Sequence, residues 1–304
     1  MFPGQGSQTV GMGAALARAY PAARETFAEA DDLLGFKLSS VCWEGPEEEL
    51  NDTVNTQPAL LVHSVAALRA ARAALGEFKP AYCAGHSLGE FSALVAAGSF
   101  AFADALRLVR ERGRLMKAAG QAAPGGMAAI LNLETARIAQ ACAEATAATG
   151  RDVQVANDNC PGQVVISGDE AALEKAMALS VERGARRAVR LPVSIAAHSR
   201  LMDGAQAEFN RAVQETPLEL PAIPIVGNVS AAPLTTADEI RAELQAQLTS
   251  PVRWTESVRH MLDHGVTTFV EFGPRDVLTG LLRRIERSAT GLPAGTPQEI
   301  GALR

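Results

Sequence analysis

The sequence has no excess of positive charge: 28 lysines and arginines face 34 aspartates and glutamates, a formal net charge of −6. A broad nucleic-acid footprint needs a basic surface, so that class of partner is not expected. Cysteine is scarce, and Cys42, Cys83, Cys142 and Cys160 lie too far apart to form a Cys-x-x-Cys pair. Neither a zinc site nor a disulfide framework is indicated, and reduced, partly buried thiols are expected. No apolar run approaches the ~20 residues needed to span a bilayer. The opening Met1-Phe2-Pro3-Gly4 also lacks the basic segment and apolar core of a secretory signal. The expectation is a cytoplasmic protein that binds neither membrane nor nucleic acid. Internal repeats and low-complexity tracts are absent as well.

What the chain does have is enough apolar material for a large core: 304 residues, 47% hydrophobic and 20% charged. That suits one large domain, or a domain with an insert. Its organising stretch is Ala81 to Leu94, in which Gly85-His86-Ser87-Leu88-Gly89 fits the G-x-S-x-G elbow. In such an elbow a serine sits on a strained strand-to-helix turn with its hydroxyl pushed out above a parallel sheet. A Cβ at Gly85 or Gly89 would run into the neighbouring strand or helix, which is a steric reason for glycine at both. Ser87 is therefore the candidate nucleophile.

Along the chain, Phe2 to Gln8 reads as a turn-rich opening and Met12 to Ala19 as a helix. The opening is not a dinucleotide loop, because Thr9 stands where a third glycine belongs and no strand precedes it. Pro21 to Leu34 and Pro46 to Leu50 read as short helices, and Thr56-Gln57-Pro58 opens a long alanine-rich helix to about Leu75. His63 within it is read as a core histidine. After the elbow helix comes Phe102 to Ala118, where Arg107, Arg110, Arg112, Arg114 and Lys117 cluster on what is normally a solvated face. From Gly126 the pattern becomes strand 127–131, helix 135–149, strand 153–157, strand 163–167, helix 170–183 and strand 186–193. That βαββαβ order predicts a ferredoxin-like small subdomain at 124–192, inserted into an α/β domain made of 1–123 and 193–287. Ser288 to Arg304, with three glycines and two prolines, is expected to be a loosely attached tail.

A serine hydroxyl is a weak nucleophile at neutral pH and needs a base within hydrogen-bond reach. Of the five histidines, His86 adjoins the serine, but neighbouring side chains on an elbow diverge, which favours a structural role. His260 and His264 form an H-x-x-x-H pair, yet Met261 stands where a metalloprotease needs glutamate. His198 follows a strand-like run at the point where the large domain resumes, so it can face the elbow.

Ser87 and His198, taken with Phe2-Pro3-Gly4-Gln5-Gly6-Ser7-Gln8, Arg112-Gly113, Asn157 to Gln163, Val193-Ser194, Gly227-Asn228, Pro251-Val252-Arg253-Trp254 and Glu271-Phe272-Gly273-Pro274, make the chain similar to the malonyl-CoA:acyl carrier protein transacylases. The resemblance runs over nearly the whole chain. It implies a hydrolase-like α/β fold with a ferredoxin-like insert, no cofactor and no metal, and two partners, malonyl-CoA and acyl carrier protein, served by a monomer. It also implies Ser87 and His198 as a catalytic dyad, with the histidine oriented by the backbone carbonyl of Gln247. Backbone N–H groups of Gln5 and Leu88 match the oxyanion donors, and Arg112 matches a carboxylate-binding arginine. Gln57 and Asn159 match positions near the substrate. Leu88, where methylmalonyl-selective relatives often carry glutamine, favours malonyl. The alternatives are a discrete acyltransferase serving a polyketide synthase, a serine thioesterase or hydrolase, and a non-catalytic scaffold that binds carrier protein.

Overall fold

The structure is a computed structural model that describes residues 1–193 and 195–303. Ser194 of the Val193-Ser194 motif and Arg304 of the tail lie outside the described residues. The fold is α/β with mixed sheets. In chain order the strands are β1 (Cys83–Ala84), β2 (Gly125–Leu131), β3 (Val153–Cys160), β4 (Gln163–Asp169), β5 (Arg187–Arg190), β6 (Ile225–Val226), β7 (Pro233–Leu234), β8 (Thr268–Glu271) and β9 (Thr290–Pro293).

β1 pairs in parallel with β6, and β6 pairs antiparallel with β7. The apolar stretch before the elbow thus supplies only a two-residue strand, and its sheet is mixed where a parallel one was expected. On the other side of β1 lie the opening residues. Phe2 donates its N–H to Ala84 O at 3.0 Å and accepts from His86 N at 3.0 Å, while Phe272 N donates to Met1 O at 3.0 Å. Met1 and Phe2 therefore bridge β1 to β8, which continues in parallel into β9.

β9 overturns the expectation of a loose tail. Its residues pair from Thr268↔Thr290 to Glu271↔Pro293, and Ala294 and Ile300 beyond it are fully buried. Glycine there marks close approach, not slackness: a Cβ on Gly295 would lie 1.9 Å from Gly273 O. His63 explains the contact from the other side, since its buried Nε2 pairs with Gly295 O at 3.1 Å. Burial pushes its pKa down to about 4.

The long helix Thr53–Leu75 begins a turn earlier than the proline indicated, because Asp52 caps it by accepting from Val54 N at 3.1 Å. Pro58 is tolerated inside it. The carbonyl of Val54, four residues back and without a proline N–H to accept, takes a bond from Arg110 at 3.4 Å. With 23 residues and a mean hydropathy of 1.2 over its most apolar window, the helix is long and apolar enough to cross a membrane, contrary to the sequence reading. Here 72% of that window is buried against the protein's own elements, as for a central core helix.

β2 to β5 form a separate antiparallel sheet in the order β3-β4-β2-β5. The helices Thr135–Thr149 and Glu170–Glu182 cover one face through a cluster that includes Ile130, Ile138, Leu173 and Ile166. Period-two alternation along β2 sends Ala128 and Ile130 into this cluster and Met127 and Ala129 to the other face. Leu191 N donates to Met127 O at 2.9 Å, so the chain leaves this sheet beside the point where it enters. The sheet also holds the rest of the molecule directly, with Val252 N bonded to Ala156 O at 2.8 Å and Asp158 N to Val252 O at 2.9 Å.

Candidate active site

The elbow forms because two glycines let it close. A Cβ on Gly85 would sit 1.9 Å from the backbone of Gly89, and one on Gly89 would sit 2.0 Å from Phe2 O. Between them Ser87 adopts φ +50°, a left-handed conformation that a β-substituted residue holds only under constraint. Asn228, just beyond β6, supplies that constraint: its Oδ1 accepts from Ser87 N at 2.6 Å and its Nδ2 donates to Gly85 O at 2.7 Å. The serine is thus carried at the C-terminal ends of two parallel strands, where α/β sheets commonly place ligands.

His198 also lies in the left-handed region, at φ +57°. Its Nε2 is 2.8 Å from Ser87 Oγ, and its Nδ1 donates to Gln247 O at 2.8 Å and Ser250 O at 3.1 Å. Carbonyl oxygens only accept, so the proton sits on Nδ1 and leaves Nε2 bare to accept from the serine hydroxyl. Burial, reinforced by the charge of Arg112, pushes the imidazole pKa down to about 3. The ring is therefore neutral, as a base must be before reaction.

Arg112 lies on the inner face of the helix Phe102–Ala122 and is fully buried, unlike the exposed Arg107 and Arg114 beside it. Its guanidinium donates to Gln57 Oε1 at 2.8 Å, Gln247 Oε1 at 2.9 Å and Ser87 Oγ at 3.2 Å, while its Nε has no partner. No carboxylate among the described residues lies within ion-pair distance of it. Glu90, also fully buried, reaches it only through the Gln247 amide, whose Nε2 donates to Glu90 Oε2. Burial lowers the Arg112 pKa to about 10, which still leaves it cationic, and raises that of Glu90 well above the carboxylate range. The site therefore holds an incompletely compensated cation against the serine hydroxyl, an arrangement that favours an anionic ligand.

The remaining positions fall around this centre. Gln57 holds Arg112 and in turn donates to Thr53 Oγ1 at 2.9 Å, which donates to the Gln5 side chain at 3.3 Å. The opening loop rests on the elbow itself, where a Cβ on Gly4 would lie 2.5 Å from His86 O. No acceptor among the described residues takes the backbone N–H of Gln5 or of Leu88, so both remain available. Asn159 Oδ1 accepts from His86 Nε2 at 2.8 Å, and His86 stacks edge-on against Trp254 at 5.7 Å. His86 thus braces the elbow from behind. His260 and His264 stack on each other at 4.2 Å at the far end of the helix that Trp254 opens, and no group of three or more metal-ligating side chains occurs among the described residues. All four cysteines are buried and free.

The profile of the acyl transferase domain matches residues 1–296. The chain belongs to the acyl transferase family. Across 302 residues the acyltransferase is 47% identical to the malonyl CoA-acyl carrier protein transacylase of Escherichia coli K12, covering 99% of this chain and 97% of that protein. It superposes on the crystal structure of an acyl carrier protein S-malonyltransferase from Vibrio cholerae with TM-score 0.96 at 46% identity, covering 100% of this chain and 98% of the other. A malonyl-transacylase solved in complex with a type II polyketide-synthase acyl-carrier protein gives TM-score 0.95 at 43% identity, with 99% and 96% covered.

Sequence reasoning assigned no role to three groups of this acyltransferase: the Gln247 side chain, Glu90 and Asn228. Asn228 falls within the Gly227-Asn228 motif and Glu90 directly follows the elbow motif, and those positions are the available signal. Replacing Asn228 by alanine leaves the Ser87 N–H and the Gly85 carbonyl unpaired, at a cost of about 2–3 kcal/mol. A drop of about 5 °C in melting temperature is expected, with slower acylation of Ser87. An unchanged melting temperature in calorimetry would show that the amide does not hold the elbow.

Proposed function

We propose that this acyltransferase moves the malonyl group from malonyl-CoA to the phosphopantetheine thiol of acyl carrier protein, through a malonyl ester on Ser87, to supply fatty-acid synthesis. The observation that carries this reading is the buried Arg112 guanidinium 3.2 Å from Ser87 Oγ. Malonyl differs from acetyl by a free carboxylate, and a guanidinium in a dry pocket is suited to hold that group by charge-assisted hydrogen bonds. No cofactor enters: malonyl-CoA and the carrier protein supply all the chemistry.

His198 Nε2 takes the serine proton as Oγ adds to the thioester carbonyl. The oxyanion is placed for the free N–H groups of Gln5 and Leu88, each worth ~3 kcal/mol of barrier in comparable sites. The C–S bond breaks, and the imidazolium returns its proton to the departing CoA sulfur. In the second half the carrier thiol gives its proton to His198 and attacks the ester, and Ser87 recovers its proton. Gln57 keeps Arg112 aimed, and Asn159 keeps His86 behind the elbow. Histidine orientation by carbonyls, not a carboxylate, together with Arg112, weighs against a thioesterase.

The frame is read as a hydrolase-like catalytic domain, 1–123 and 193–287, carrying a ferredoxin-like subdomain at 124–192. The strand order β3-β4-β2-β5 and the separate apolar cluster beneath it support that division. The pairing of β9 with β8 favours assigning 288–303 to the catalytic domain. The same reading makes the protein a cytoplasmic monomer.

Carrier proteins are acidic, so docking falls to local cations despite the net charge. Of the arginines near the small sheet, Arg183 pairs with Glu144 and Arg190 with Glu170, which leaves them less available. Arg284 is exposed and bonds Gln163 Oε1 at 2.5 Å beside the turn that follows Asn159 on β3, and Arg287 lies just past the end of the same helix. Reversing both to glutamate is expected to raise the half-saturating carrier concentration about tenfold without slowing malonyl loading. An unchanged value removes this face from docking.

Steady-state rates with both substrates varied test the double displacement: parallel double-reciprocal lines are expected, and intersecting lines would contradict it. A second reading, a discrete acyltransferase of a polyketide synthase, is favoured by the relative solved with a polyketide carrier protein. Faster discharge to a polyketide carrier than to a fatty-acid carrier would select it.

A further inference from the structure

His198 is held at its ring by carbonyls of one loop, Gln247 and Ser250, yet it sits in another loop and in a left-handed backbone conformation. Something must fix the distance between the two loops, because the ring bonds only report that distance. One side chain does so. The Nε2 of Gln154 donates to the backbone carbonyl of His198 at 3.0 Å and to that of Thr249 at 3.0 Å. A primary amide nitrogen carries two hydrogens, so both are used, one on each loop. Gln154 stands on β3, and the same strand holds the second loop by its backbone, through the Ala156 and Asp158 bonds to Val252.

We propose that Gln154 is a positioning residue for the transfer reaction: it ties the His198 loop to the loop whose carbonyls orient the imidazole, so that Nε2 stays within reach of Ser87 Oγ. The proposal rests on the Ser87–His198 reading of the site. It also gives the small sheet a part in the chemistry, since that sheet carries the only tie made by one side chain to both loops among the described residues. The residue type follows from the geometry. Glutamate in the same place would set a carboxylate oxygen about 3 Å from two carbonyl oxygens, exchanging two attractions for two repulsions. Leucine would leave both carbonyls without a donor. Neither change touches Arg112, Gln57 or the elbow, so substrate affinity is untouched while the base is misplaced; a displacement near 1 Å can cost about a hundredfold.

Single-turnover loading of Ser87 from malonyl-CoA, followed by intact-protein mass, tests this with the full chain. Gln154→Glu is expected to lower the maximal loading rate by about twentyfold or more and Gln154→Leu by about fivefold. The half-saturating malonyl-CoA concentration should stay within about twofold of the unaltered protein. In a His198→Ala background, adding Gln154→Glu should cost nothing further, because the residue acts only through the imidazole. Loading by both single variants at the unaltered rate would overturn the proposal. So would a loss that persists in the His198→Ala background, or one confined to half-saturation. If Gln154→Glu does not melt cooperatively, Gln154→Leu decides alone. Absence of malonyl on Ser87 in the unaltered protein would instead overturn the transfer reading, which keeps the two failures distinct.

Discussion

Replacing Arg112 by alanine is expected to slow malonyl loading of Ser87 by a hundredfold to a thousandfold, while acetyl loading falls by less than about tenfold. The estimate follows from what the side chain would lose. Truncating one partner of a buried, hydrogen-bonded charge pair costs about 2–5 kcal/mol, and each 1.4 kcal/mol is tenfold in rate. A malonyl carboxylate brought beside alanine in this closed site would keep its desolvation cost and lose its partner. Acetyl has no such group, and its smaller loss reflects only the contacts of Arg112 with Ser87 Oγ and Gln247 Oε1. Arg112→Lys keeps the charge but loses the planar fork, so an intermediate malonyl rate is expected. Release of CoA from the two thioesters, measured side by side, decides the matter. An equal loss for both would mean that Arg112 holds the elbow and not the substrate.

Removal of the base has the other large effect. His198→Ala should lower loading from either thioester by about a thousandfold, within the range found for positioned general bases. The unaltered enzyme should also keep its loading rate into unusually acid solution. With the imidazole pKa pushed down to about 3 by burial and Arg112, the ring stays neutral well below the usual titration range of histidine. Activity is lost only as pH falls through the lowered pKa, since protonated Nε2 can no longer accept from Ser87. The pH profile of single-turnover loading checks this sign. An acid limb near pH 6.5 would show that water reaches the imidazole in solution.

Much of this site is legible in the sequence because its parts are local. Gly85, Ser87 and Gly89 are steric requirements of one turn, and a Cβ at either glycine would meet backbone at 1.9 or 2.0 Å. Arg112 is different: on its own helix it reads as one of five clustered cations, and only resemblance to a family separates it. Its fully buried state depends on Gln57, 55 residues earlier, and Gln247, 135 residues later. The side-chain amides of Gln247 and Gln154 leave no local trace, and Asn228 is marked only by the Gly227-Asn228 motif, since each acts over more than 40 residues and amide side chains have no periodic signature. The βαββαβ order was read within a few residues because its strands alternate and its helices are long. The tail departs from expectation for a definite reason: glycine and proline content predicts looseness, whereas here glycine permits close contact with Gly273 and the paired β9.

The central claim is that Ser87 carries a malonyl group between two thiols. Incubation with malonyl-CoA, digestion and peptide mass analysis should place a malonyl ester on the peptide containing Ser87, and none in Ser87→Ala. Adding holo acyl carrier protein should clear that ester within seconds and raise the carrier's mass by one malonyl group. An ester that forms elsewhere, or one that only water removes while the carrier stays unloaded, would contradict the account.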